Sequence, residues 1–323
     1  MAEKQQRIGV LTSGGDAPGM NAAIRAIVRS AIHRNMKVFG IRRGYEGLLG
    51  ADTYEMNALS VTEIIHRGGT ILKTARCDEM QTEEGQNRAA QICKVLGLDC
   101  LIVLGGDGSL TGALKLAKRG VTIMGIPCTI DMDLECTEYS IGFDTAVNTG
   151  IDAISKIRDT SSSHDRVSVI QVMGRAAGHI ALWCGLAGGA EEIVIAENKV
   201  DDEAVIRQII SNRGKGRKHH LVVVAEGGGE SQRLAKKIES VTGIETRATV
   251  LGHLQRGGAP TALDRTRASI MGYKVVELFA NGEKNRVMVY EQGDYAHMDI
   301  EEALAAKRPY DNEMYEIIKV LAI

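Results

Sequence analysis

The chain has 323 residues, too many for one ordinary hydrophobic core, with 44% hydrophobic residues, 25% charged residues and a formal net charge of -2. That balance excludes a global basic field of the kind that carries nucleic-acid binding, and no apolar run approaches the roughly 18 residues of a membrane span. The six cysteines, Cys77, Cys93, Cys100, Cys128, Cys136 and Cys184, form no C-x-x-C pair and no zinc spacing, and M-A-E-K-Q-Q-R lacks the apolar core of a signal peptide. Reduced thiols in a cytoplasmic protein are therefore expected.

Residues 7–11 (R-I-G-V-L) predict a strand that feeds a glycine loop. Residues 20–34 predict an amphipathic helix, with Ile24, Ile27, Val28 and Ile32 near one face and Arg25 and Arg29 one turn apart. A strand is expected at 37–41, and Ser60 followed by Glu63 gives the capping-box pattern of a short helix over 61–66. A helix over 83–96 closes at Gly97, a buried strand covers 99–104, G-G-D-G-S leads into a helix from 110, and a further strand covers 121–126. Beyond residue 140, helices fall near 144–158, 202–213, 231–241 and 263–280, and strands near 167–172, 192–196, 220–225, 247–251 and 286–290. This alternation defines an α/β protein with mostly parallel sheets carrying helices on both faces. Composition marks no domain boundary, and a second β/α series starting near residue 140 is the sole hint of one.

Three turns follow strands and carry chemistry: T-S-G-G-D-A-P-G-M-N at 12–21, G-G-D-G-S at 105–109 and P-C-T-I-D-M-D at 127–133. In open parallel sheets, ligands bind beyond the carboxyl ends of the strands. Gly14 and Gly15 admit a phosphate to backbone N–H groups and to the positive end of the next helix. Asp107 is a natural ligand for a phosphate-bound Mg²⁺. Asp131 and Asp133 face the same side if the backbone is extended, one as a general base and the other ordering metal or water. Each turn alone is more readily a chain reversal whose acid caps a helix; three together, each after a strand, favour a nucleotide-phosphate site. Neither G-x-G-x-x-G nor G-x-x-x-x-G-K-[ST] occurs, which removes the main support for a Rossmann or P-loop reading. In the second half Arg166, Arg175, Arg247, His253 and Arg256 recur beside glycines near strand ends, where guanidinium forks suit phosphate oxygens, and Glu226 ends a strand where it can accept from sugar hydroxyls.

T-S-G-G-D-A-P-G-M-N, G-G-D-G-S, P-x-T-I-D-x-D, D-T-S-S-S-H, V-M-G-R and G-H-x-Q-R-G-G stand in the order and spacing of bacterial ATP-dependent 6-phosphofructokinases, and the resemblance runs from residue 7 to about 310. It implies two doubly wound, mostly parallel-sheet domains: residues 1–142 plus 255–305 for ATP, and 143–254 plus 306–323 for fructose 6-phosphate. The implied reaction moves the γ-phosphoryl group of ATP to the sugar 1-hydroxyl, with Asp131 as base and Thr129, Arg175 and Arg76 as catalytic companions. Gly15, Arg76, Cys77, Gly106, Asp107, Gly108, Ser109 and Gly112 would contact the nucleotide, with Asp107 at the Mg²⁺. Thr129, Asp131, Asp133, Met173, Gly174, Arg175 and Glu226 would hold the sugar. Arg166, Arg247, His253 and Arg256 would bind its 6-phosphate, Arg166 and Arg247 reaching in from a neighbouring subunit of a homotetramer. Arg25, Arg29, Glu63, Arg158, Glu191, Lys215 and Arg217 fall where the family places an effector site for ADP or phosphoenolpyruvate, although Arg25 and Arg29 by themselves read as a solvated helix face.

The chain departs from the family's pattern at Cys128 for Gly, Met132 for Asn and His179 for Asp. Pyrophosphate-dependent relatives usually carry Asp at the place of Gly108 and Lys at that of Cys128, so ATP is the expected donor. The competing readings are the pyrophosphate-dependent enzyme and a catalytically weak regulatory subunit, the latter because of Met132. The pleat expectation has Met132 turned away from the substrate and packed behind the site.

Overall fold

The computed structural model describes residues 5–198, 201–307 and 312–322. They form two compact units. The first takes the chain up to Ile130, Leu134–Thr145, and Arg256 onward to residue 307; the second takes Asp131–Asp133, Ala146–Gln255 and the last helix.

The first unit is built on a seven-stranded sheet. Its strands are β1 (Arg7–Thr12), β2 (Lys37–Ile41), β3 (Thr53–Met56), β4 (Cys100–Gly105) and β5 (Ile123–Pro127), with two more, Arg286–Glu291 and Asp294–Asp299, near the end of the unit. The spatial order places β4 at the centre between β1 and β5, all parallel. The edges are antiparallel: β3 lies against β2, and Asp294–Asp299 against Arg286–Glu291. Every residue of β4 is buried, which is what a central strand covered on both faces requires and why C-L-I-V-L-G reads as a continuous apolar run. Because β1, β4 and β5 are parallel neighbours, the turns after them leave the same edge of the sheet. The helices of this unit are α1 (Met20–His33), α2 (Gly44–Leu49), α3 (Glu83–Val95) and α4 (Asp107–Ala117), and further on Ala262–Ala280 and Ile300–Ala305. Leu110, Ala113 and Leu116 of α4 join Leu101, Val103 and Ile123 in one core cluster.

The chain enters the second unit along α5 (Phe143–Ser163). Its sheet holds four strands, all parallel: β6 (Val167–Val172), β7 (Glu192–Val194), β8 (His220–Ala225) and β9 (Thr246–Val250), in the spatial order β7-β8-β6-β9. The helices are α6 (His179–Gly188), α7 (Asp202–Gly214) and α8 (Ser231–Thr242), followed in the first unit by α9 (Ala262–Ala280) and α10 (Ile300–Ala305) and in the second by α11 (Asn312–Leu321). Alternate strand residues Val167, Val169, Val222 and Val224 pack on Ile206 and Ile209 of α7 and Leu234 and Ile238 of α8. With the last two strands numbered β10 (Arg286–Glu291) and β11 (Asp294–Asp299), the chain is an α/β protein whose first sheet is mixed and whose second is wholly parallel. No helix among the described residues is long and apolar enough to cross a membrane.

Two local expectations fail. Residues 61–66 do not form a helix: the Asn57 carboxamide accepts the N–H groups of Leu59 and Ser60 and caps a single 3-10 turn over Leu59–Val61. Glu63 then adopts φ 55°, a left-handed conformation that no helix continues through. Helix α4 begins at Asp107 rather than 110, so Asp107 sits in its first turn.

Candidate functional site

In the first unit, three turns converge. The Ser13 N–H bonds the Leu104 carbonyl at 3.0 Å, and the Cys128 N–H bonds the Gly105 carbonyl at 2.9 Å, so the turns after β1 and β5 are both tied to β4. A Cβ placed on Gly106 would stand 3.3 Å from the Thr129 Cβ, and one on Gly14 3.2 Å from the Ser109 hydroxyl. The loop before α3 closes over the first turn: the Thr74 hydroxyl donates to the Gly14 carbonyl at 2.6 Å, and the Thr12 hydroxyl to the Lys73 carbonyl at 2.9 Å. Arg76 stands exposed on this loop, beside half-buried Cys77.

Two glycines show what the first unit's site admits. A Cβ on Gly15 would meet the Arg256 guanidinium at 2.6 Å, so the Arg256 fork lies directly on the backbone of the first turn and donates to the Asp16 carbonyl at 3.3 Å. Arg256 thus stands against the glycine turn of the first unit. At Gly108, in the first turn of α4, nothing lies within 4 Å of such a Cβ. The start of α4 has no side-chain cap, and Asp107 stands in its first turn beside Gly108. Tyr45 braces this helix end: its hydroxyl donates to the Ser109 carbonyl at 2.6 Å, and its ring would lie 3.0 Å from a Cβ placed on Gly112. Cys128 is buried with its thiol pushed well above the usual range, first by burial and then by nearby Asp264, so it packs as a small apolar residue.

In the second unit, the turn after β6 carries Met173, Gly174 and Arg175. The Gln255 side chain accepts the Met173 N–H at 2.8 Å, and Glu226, next after β8, accepts the Arg175 N–H at 3.1 Å. Arg175 adopts φ 53° and sends its guanidinium to the Asp133 carboxylate at 3.6 Å while remaining 66% exposed. Its positive charge is thus presented to solvent. Asp131, by contrast, is buried. The pleat expectation for 131–133 is overturned: Met132 has φ 56°, so the segment is a turn, and Met132 is half-exposed instead of packed behind the site. Asn, the family's residue there, visits this left-handed region far more readily than Met. His253 is exposed on the 3-10 turn Gly252–Arg256 after β9.

Arg166 and Arg247 are not brought to that end of the sheet. Arg166 precedes β6 and Arg247 lies at the start of β9, and both pair with Glu245, at 2.6 and 2.5 Å. The cations of this unit assigned above to an effector site are at the same amino end. Arg217, before β8, pairs with buried Glu191 at 2.9 Å, and the second Glu191 oxygen accepts the Leu221 N–H at 2.6 Å. Arg158 of α5 donates to the carbonyls of Gly188 and Gly189, and Lys215 is exposed after α7. In the first unit, Arg25 is half-buried and Arg29 exposed on α1, and Glu63 is exposed. His179 opens α6 without acting as its cap.

Sequence reasoning did not find Ser140, Tyr45, Gln255 or Asp264, each of which fixes a site backbone group or the loop behind one. The T-x-x-D pattern at 261–264 is a helix-start signal that could have flagged Asp264, but nothing in it points to the loop it serves.

The phosphofructokinase family model matches residues 7–279. A protein of Clostridium botulinum (strain Loch Maree / Type A3) named ATP-dependent 6-phosphofructokinase is 55% identical over 315 residues, covering 98% of this chain and 99% of its own. A protein of the same name from Clostridium novyi (strain NT) is 51% identical over the same share of both chains. The solved phosphofructokinase of Saccharomyces cerevisiae superposes with a TM-score of 0.88 at 32% identity over 99% of this chain, which spans 48% of that longer one. The fold is that of an α/β protein with three turns brought together at one sheet edge, and this chain belongs to the phosphofructokinase family.

Proposed function

We propose that this chain transfers the γ-phosphoryl group of ATP to the 1-hydroxyl of fructose 6-phosphate, giving fructose 1,6-bisphosphate, the committed phosphorylation of glycolysis, in the cytoplasm. The observation that carries ATP rather than pyrophosphate is the open space at Gly108, beside the uncapped start of α4. Room for an α-phosphate exists there, and an aspartate would fill it with repelling charge. The high identity to relatives named for the ATP reaction supports the same reading.

The residues divide the work as phosphoryl transfer requires, by positioning and neutralising charge. Gly15, Gly106, Gly108 and Ser109 offer backbone and hydroxyl groups to the nucleotide, with Arg76 and Cys77 on the loop that closes over the first turn and Gly112 letting Tyr45 brace α4. A lone carboxylate, Asp107, suits Mg²⁺, which keeps its waters and is held chiefly by nucleotide phosphates; no cluster of three or more His, Cys, Asp or Glu side chains able to hold a metal exists among the described residues. When bound, the ion neutralises charge on the transferred group. Asp131 takes the proton from the sugar hydroxyl, with Thr129 and Asp133 beside it in the turn. Arg175 stabilises charge on the moving phosphoryl group, while Met173, Gly174 and Glu226 hold the sugar. Arg166, Arg247, His253 and Arg256 bind its 6-phosphate, Arg166 and Arg247 for a neighbouring subunit of a homotetramer, in keeping with their position at the opposite end of the sheet from Arg175.

ADP activates the enzyme and phosphoenolpyruvate opposes it, through Arg25, Arg29, Glu63, Arg158, Glu191, Lys215 and Arg217. A coupling of roughly 1–3 kcal/mol is the usual scale. Fructose 6-phosphate saturation curves should shift with ADP in the parent and not in Arg25→Ala, whose maximal rate is retained; curves indifferent to both effectors contradict it. The reaction itself is tested by steady-state turnover of fructose 6-phosphate with ATP and with pyrophosphate. Faster turnover with pyrophosphate refutes the donor assignment, and no turnover with either favours the regulatory subunit.

A further inference from the structure

Helix α9 opens with a capping pattern that is only half used. The Thr261 hydroxyl accepts the Asp264 N–H at 3.2 Å, as a cap should. The Asp264 carboxylate, expected to return the bond to the Thr261 N–H, does not; the Thr145 hydroxyl accepts that N–H at 3.0 Å instead. Asp264 is fully buried and spends its carboxylate on the loop 139–145. One oxygen accepts the Tyr139 hydroxyl and the Gly142 N–H, the latter at 2.7 Å; the other accepts the Thr145 N–H at 2.9 Å and the Thr145 hydroxyl at 2.5 Å. The Gly142 and Thr145 N–H groups can only donate to this carboxyl group, and the two hydroxyls complete its set of partners, while burial raises its pKa above the ordinary carboxylate value. The loop is pinned further by the Arg267 guanidinium, which lies 4.1 Å from the Tyr139 ring centre and 3.9 Å from that of Tyr290.

The loop in turn holds the start of the turn assigned to catalysis. The hydroxyl of buried Ser140 accepts the Thr129 N–H at 2.8 Å, and the Ile141 N–H bonds the Pro127 carbonyl at 3.1 Å. We propose that Asp264 is a positioning residue for phosphoryl transfer: it sets the loop 139–145, and through the Ser140 hydroxyl it sets the Thr129 backbone that leads into Asp131. The proposal rests on the assignment of catalysis to residues 129–133. A buried carboxylate with four neutral donors is an expensive way to tie two chain segments if stability alone is served, because removing its charge leaves four buried donors competing for fewer acceptors. A catalytic peptide that must hold its place to a fraction of an ångström gains from that rigidity, since small misplacements cost about 10²-fold in rate.

The test is a cycle of Asp264→Asn, Ser140→Ala and the double variant, read as kcat and KM for both substrates well below each protein's Tm. Asp264→Asn and Ser140→Ala should each lower kcat by about 10- to 100-fold while leaving KM for ATP within about 2-fold. The double variant should be no worse than the poorer single, because both changes break one chain of contacts. If Asp264→Asn fails to fold, Thr145→Val against Thr145→Ser carries the test: Val should lower kcat and Ser should restore it. Folded Asp264→Asn with kcat within about 2-fold of the parent, or losses that multiply in the double variant, overturns the relay. Asp131→Asn run alongside separates the two claims. If it keeps full kcat, the catalytic assignment falls and the relay with it; if it loses kcat while Asp264→Asn does not, the relay alone falls.

Discussion

The four-stranded sheet of the second unit has two ends that hold their charges differently. At its carboxyl end, Arg175, in the turn after β6, is fixed through its backbone by Glu226, and its guanidinium is left exposed against a distant carboxylate oxygen of Asp133. At its amino end, cations are held by partners of this chain: Arg217 by the Glu191 carboxylate, Arg166 and Arg247 by that of Glu245, and Arg158 by the backbone carbonyls of Gly188 and Gly189. An anion arriving at the carboxyl end meets a charge already aimed and available. One arriving at the amino end must first compete with a carboxylate of this chain. The first arrangement suits a transition state, which tolerates no reorganisation; the second suits binding that is graded or switched.

The comparison breaks most directly at Arg175. Arg175→Ala should lower kcat by about 10²-fold or more, the scale of a lost charge-stabilising arginine, with a smaller change in KM for fructose 6-phosphate. A variant impaired only in KM would move Arg175 to ground-state binding. Arg247→Ala should do the reverse, raising KM for fructose 6-phosphate by about 10-fold while kcat stays within about 3-fold. Equal losses in kcat in both variants would erase the distinction between the two ends.

A third effect is acid sensitivity confined to the amino end. His220, at the start of β8, is fully buried; burial, then Arg217, His219 and Arg213, hold its imidazole down at about 4. The unfolded chain takes up this proton near pH 6.5 and the folded chain does not until about 4, so stability is lost as pH falls through that window and the loss is complete below it. The Tm of His220→Leu should therefore fall less than the parent's between pH 6.5 and 4, by a few degrees. Parallel curves for the two proteins would remove His220 as the cause. The smallest effect is expected at Met132. Met132→Asn should relieve the left-handed backbone and raise Tm by a few degrees, with kcat changing only a few-fold. A gain in kcat above ~100-fold, roughly 2.7 kcal/mol, would show that the natural chain is crippled by methionine.

The elements that periodicity exposes were legible in the sequence: β6 and β8 fall at 167–172 and 220–225 as expected, and α1 within a residue. Helix α6 was not, because H-I-A-L-W-C-G-L-A-G is apolar on nearly every side and carries no 3.6-residue pattern. The edge strands β3 and β11 are short or polar and also escape. At the site, each glycine turn could be placed after its strand, because strand and turn are contiguous in sequence. The left-handed Met132, the Arg256 fork on Gly15 and the Asp264 loop contacts could not, since each is fixed by tertiary contacts or by a backbone angle that residue type does not dictate.

The claim on which everything else depends is that Asp131 takes the proton from the sugar hydroxyl. Asp131→Asn, which keeps the shape of the side chain and removes its basicity, should reduce kcat by at least ~10²-fold while the Kd for fructose 6-phosphate, measured by equilibrium titration without ATP, changes by less than about 3-fold. A folded Asp131→Asn protein with near-parental kcat, or one whose lost rate is matched by lost sugar binding, would contradict the account.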